Sequence, residues 1–169
     1  YIHNAENKMH LSKYNDVLTL YKEFERVIDS IIHPDDMLKK GLSYARAYIK
    51  NRMFVCGKIE NDPFKRIDML YKSEEICNKY GFWDIQFENY FDEANLYISD
   101  PDKRQDLLLA LNNGFDAFRK TTVYQKKKFM PNFLSKKLQY MCIEQDFKKA
   151  LSTSEKALEY LQQNNDINY

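Results

Sequence analysis

A chain of 169 residues carrying 26 basic and 25 acidic side chains is long enough to bury a substantial core, and too evenly charged for a histone-like nucleic-acid binder. Four glycines and four prolines supply too little turn chemistry for a β-sandwich, a barrel or a glycine-rich phosphate loop. Three widely spaced cysteines fit a reducing compartment without disulfides, and no apolar run approaches the ~18 residues of a membrane span.

The chain opens with Tyr1 rather than Met, which reads as part of a longer protein, and residues 1–10 are expected to fray. The first helix is expected near 10–32, where Tyr14, Val17, Leu18, Tyr21, Phe24, Ile28 and Ile31 share one stripe. Four prolines, Pro34, Pro63, Pro101 and Pro131, mark where later helices begin. In Asp62-Pro63 and Asp100-Pro101 an aspartate can accept an orphan N–H, and the proline loses nothing at the first helical position. Asp35, Asp36 and Asp102 favour first turns through the helix dipole, and Gly81 supplies a stop. Further helices are thus expected near 35–57, 63–80, 83–99, 101–120, 131–144 and 147–163, followed by a polar tail over 164–169. The fold class is all-α, with a helical domain over 11–163.

Repetition is visible between helix pairs. Phe147, Ala150, Leu151, Ala157, Leu158 and Leu161 form a stripe like the second helix of a tetratricopeptide repeat, where small residues let paired helices approach. Gly114 stands 43 residues before Ala157, and Ser73 stands 41 before Gly114. These offsets exceed the usual ~34, so degenerate, TPR-like helical hairpins are expected, with an irregular bundle as the alternative.

The stretch from Trp83 to Asp166 resembles the C-terminal region of the Rgg and ComR regulators, within the group that includes Rap, NprR, PlcR and PrgX. The likeness runs through Ile85-Gln86-Phe87-Glu88-Asn89-Tyr90, Leu107 to Phe118, Thr122 to Lys126, Lys137-Leu138-Gln139-Tyr140 and Asp146 to Leu161. Leu18 to Phe24 is similar to the first helix of the same sensor domain. The resemblance implies a short right-handed superhelix in a cytoplasmic, quorum-sensing-type transcription regulator that binds a short signalling peptide on its concave face. It implies contact with DNA only through an N-terminal helix-turn-helix, which this sequence lacks.

A superhelix places the first helix of each pair on the concave side. With Phe87, Phe91, Ala94 and Ile98 facing a core, Gln86, Asn89, Tyr90 and Glu93 occupy another face. Tyr44, Tyr48, Asn51 and Arg52 are their counterparts in one neighbouring helix, and Lys136, Lys137 and Tyr140 in another. Together they suggest a polar groove with aromatic walls. Amide side chains such as Asn89 and Gln86 offer donors and an acceptor to a peptide backbone, while Arg52 or Lys137 would meet an acidic end.

Other signals are weaker. Lys126-Lys127-Lys128 reads as a basic loop between helix pairs, without an aromatic RNA-binding pattern. Arg26 and His33 have a spacing similar to that of HEPN ribonucleases, but Val27 and Pro34 depart from the motif. His3 and His10 have no ligand-spaced partners, and the cysteines are expected to be buried and inert. No catalytic residue, metal or cofactor is therefore expected. The reading is a peptide- or protein-binding domain that can pair as a homodimer through its C-terminal helices and has no membrane partner. A general interaction scaffold is the alternative.

Overall fold

The computed structural model describes residues 14–32, 34–56 and 63–165. Among them are seven α-helices and no strand, which bears out the all-α expectation. The helices are Tyr14–Asp29 (α1), Asp36–Cys56 (α2), Pro63–Tyr80 (α3), Trp83–Tyr97 (α4), Arg104–Lys120 (α5), Val123–Ile143 (α6) and Phe147–Asn165 (α7). A 3-10 turn, Pro101–Lys103, precedes α5. The expected frayed segment 1–10 and the last four residues of the expected tail lie outside the described residues, as does His33. No described helix is long and apolar enough to cross a membrane.

Local chemistry sets most boundaries where the sequence puts them. Asp35 caps α2, its Oδ1 accepting the Leu38 N–H at 2.7 Å. Asp100 accepts from the Asp102 N–H at 3.0 Å, with Pro101 at the first position of the turn. Gly81 adopts φ 72°, and the amides of Gly81 and Phe82 both donate to the Cys77 carbonyl that closes α3.

The start of the sixth helix differs from the expectation. It lies at Val123, and Pro131 sits inside the helix. Thr122 and Gln125 form a reciprocal capping box, each side chain bonding the other's backbone N–H. That cap nucleates the helix ahead of the proline. Pro131 and Lys127 are both exposed, so the Lys127 carbonyl that loses its N–H partner can turn to water. The three lysines thus lie on a helix rather than in a loop.

The chain divides into two compact units, one up to Asp92 and the other from Glu93. In the first, Val17, Leu18, Tyr21 and Ile28 of α1 pack with Ile49, Met53 and Cys56 of α2. Ala47, Cys77, Phe82 and Ile85 make a second cluster. The antiparallel run of α1 and α2 shows in the ion pairs Asp29–Arg46 and Glu25–Lys50. That of α2 and α3 shows in the Ser73 hydroxyl donating to the Ala47 carbonyl and in Arg66 Nε donating to that of Phe54. Ile31 is exposed because α1 ends before it.

In the second unit Leu107, Leu111, Phe115 and Phe118 bury one face of α5. Phe118 stacks on Phe133 at 4.1 Å, and Phe115 meets Phe133 and Tyr140 edge-on. On α7 only part of the expected apolar stripe is covered. Ala150 is buried, whereas Phe147, Leu151 and Leu158 remain exposed.

Candidate functional site

The expected groove residues divide between the units. Tyr44, Tyr48, Asn51, Arg52, Gln86, Asn89 and Tyr90 belong to the first, and Glu93, Lys136, Lys137 and Tyr140 to the second.

In the first unit α2 and α4 meet through polar rungs. The Tyr44 hydroxyl donates to Asp84 Oδ2 at 2.6 Å. Arg52 pairs with Glu88 and lies over the Tyr48 ring at 4.9 Å. Asn51 Nδ2 donates to Asn89 Oδ1 at 2.9 Å and to Asp92 Oδ2 at 3.0 Å. Asp84, Glu88 and Asp92 recur at helical spacing, so they form an acidic stripe that the sequence reading passed over. This stripe is what holds the α2 side chains.

Three expected groove residues are interior instead. Asn51, Gln86 and Asn89 are all 0% exposed, because α4 buries this face as well as the face carrying Phe87 and Phe91. Asn89 Nδ2 donates to Ser73 Oγ at 2.9 Å and more weakly to Cys77 Sγ at 3.8 Å. Ser73, read from sequence only as a small packing residue, thereby links three helices. Gln86 differs from its neighbours: neither its amide oxygen nor its nitrogen makes a hydrogen bond among the described residues. Arg52 Nε and Asn51 Oδ1 likewise lack partners there. Ile98, expected in the core, is 51% exposed near the end of α4.

Electrostatics follow this burial. Desolvation, then the hydrogen bond to Asp84, raises the Tyr44 phenol far above its ordinary pKa. Desolvation lowers the Arg66 guanidinium, with Asp92 opposing it. In the second unit burial raises the Glu93 carboxyl against the Tyr97 hydroxyl bonded to it at 3.2 Å. Lys136 bonds Asn95 and, at 3.2 Å, Gln139, while Lys137 lies 5.9 Å over the Phe133 ring. Tyr90 and Tyr140 are half-buried.

Cys56 and Cys77 are buried as expected, but Cys142 is exposed on α6. No group of three metal-ligating side chains occurs among the described residues. Comparison with protein-family models, curated proteins and solved structures finds no match to the chain.

Proposed function

We propose that the chain is a peptide-binding helical-repeat domain, the sensor half of a cytoplasmic, peptide-responsive transcription regulator. The observation that carries this reading is Gln86. A fully buried amide without partners costs about 1–3 kcal/mol, and retention of such a group points to a role beyond folding. Its donors and acceptor match those of an extended peptide backbone, which meets this interior amide only when the helices packed around it part. The rungs between α2 and α4 add support, because they advance in the same direction along both helices. Helices of successive hairpins run parallel in this way in a superhelix. Arg52, occupied by Glu88, is a weaker anchor for an acidic peptide end than its sequence position suggests.

The test is selection of linear peptides of up to ten residues from a random displayed library, followed by calorimetric titration of the winners. A peptide receptor gives saturable binders that lose at least tenfold in affinity on Gln86→Leu. The same substitution should stabilise the free protein by about 1–2 kcal/mol, since it removes the unpaired amide. Absence of binders, or binders indifferent to Gln86→Leu, would count against the reading.

A second reading, docking of a protein or of a second copy, draws on Phe147, Leu151 and Leu158, which lie on one exposed side of α7. Light scattering of the wild type and Leu151→Glu decides it. A dimer that becomes monomeric favours self-association, and a monomer throughout removes the second copy and leaves a different protein as the only occupant of this reading.

A further inference from the structure

A cleft of about 320 Å³ opens between α2 and α3 in the first unit, at the small end of the roughly 300–1,000 Å³ range of ligand pockets. It lies on another side of α2 from the rungs to α4. Ser43, Arg46 and Lys50 face it, about 130° around the helix from Tyr44, Tyr48 and Asn51. Across the cleft stand Lys72, Lys79 and Glu75, with Ile76 and the Tyr80 ring as an apolar wall. Tyr80 is fixed by stacking on Phe82, with centroids 5.6 Å apart.

Four cations thus converge on one small concavity whose lining holds a single carboxylate. Three of them are also paired away from the lining: Arg46 with Asp29, Lys50 with Glu25 and Lys72 with Asp68. These pairs hold the cations in place without exhausting them. A guanidinium has five N–H donors and an ammonium three, so one carboxylate leaves donors for another anion. The pKa of the Tyr80 phenol is lowered, first by the hydrogen bond with Ser43 and to a lesser extent by Lys79, Lys39 and Arg46, against desolvation.

We propose that this cleft binds a small organic carboxylate whose apolar body lies against Ile76 and Tyr80 and whose charge is held by Arg46, Lys50 and Lys79. A bare inorganic anion would leave the apolar wall unused. A neutral ligand would leave the converging cations unmatched. The site neither overlaps the Gln86 region nor depends on the peptide-binding reading.

The experiment is a titration of isotope-labelled protein with N-acetyl-L-leucine, followed by amide chemical shifts. Saturable shifts are expected for residues 43–50 and 72–80, and none from the neutral N-acetyl-L-leucine carboxamide. Arg46→Gln should weaken binding about tenfold, the effect of one charge-assisted hydrogen bond, with the circular dichroism unchanged. Lys79→Met provides a second variant, because Lys79 is exposed and its loss leaves the helix pairing intact. Titration with 4-methylpentanoate separates the sources. Equal affinity supports a free carboxylic acid as ligand, and a preference for N-acetyl-L-leucine supports a peptide's C-terminal end. Failure to saturate at these residues, equal response to the carboxamide, or unchanged affinity in both variants would overturn the proposal.

Discussion

Truncating Asn89 to alanine probes a side chain that ties three helices of the first unit together. Asn89 links α4 to α2 through Asn51 and to α3 through Ser73, at 2.9 Å in each case. Its removal strands neither partner completely. Asn51 Nδ2 keeps Asp92 at 3.0 Å, and the Ser73 hydroxyl keeps the Ala47 carbonyl at 2.8 Å. The cost is then two hydrogen bonds at about 1 kcal/mol each, plus about 1 kcal/mol for the void at a fully buried position. A total near 3 kcal/mol, at roughly 2–4 °C per kcal/mol for a chain of this size, lowers Tm by about 6–12 °C. Thermal denaturation followed by circular dichroism measures it. A double-mutant cycle with Asn51→Ala should return a coupling of about 1 kcal/mol. A Tm within about 2 °C of wild type would refute the network and return Asn89 to the open groove face suggested by its polarity.

Other consequences are as direct. Under native conditions Ellman's reagent should label Cys142 alone, with all three thiols reacting after denaturation, because Cys56 and Cys77 are buried; three fast thiols in the native protein would contradict the packing. Burial pushes the thiol of Cys77 up to about 12 and that of Cys56 to about 11, from 9.0, so the unfolded chain gives up these protons first. Their contribution to stability is therefore whole below about pH 9 and is lost as pH rises through about 11–12. The urea midpoint should fall between about pH 8 and about pH 10.5, and Cys77→Ala should flatten that fall; an equally steep fall in the variant would exclude this origin. Pro131→Ala restores an N–H to the Lys127 carbonyl within α6 and should stabilise the protein by about 1–3 kcal/mol in urea denaturation, whereas destabilisation would mean that the proline is needed where it is.

Helix boundaries were legible wherever one short segment carried the whole interaction. Asp35 with Leu38, Asp100 with Asp102 and the left-handed Gly81 are local arrangements, and their residues announce them. The start at Thr122 was legible in the same way, since Thr122 and Gln125 have capping-box spacing, but the conspicuous proline drew the reading to residue 131. The apolar faces of α1 and α5 also followed from periodicity, as did Phe87, Phe91 and Ala94 on α4. Periodicity placed α7 correctly but not the burial of its stripe, where Ala150 is covered and Phe147, Leu151 and Leu158 stay exposed.

The candidate site obeys a different rule. Composition marked Asn51, Gln86 and Asn89 as polar and hence as surface, yet all three are buried. A polar group can be interior when another part of the chain satisfies it, and that partner lies 38 residues away for Asn51 and 16 away for Asn89 with Ser73. Arg52 likewise loses its freedom to Glu88, and the cations of the α2–α3 cleft converge only because α3 folds back along α2. Short-range steric and capping preferences let the sequence determine the helices by itself. Which polar side chains became interior and which remained exposed was decided only by the tertiary structure, because desolvation and pairing depend on neighbours that no local pattern names.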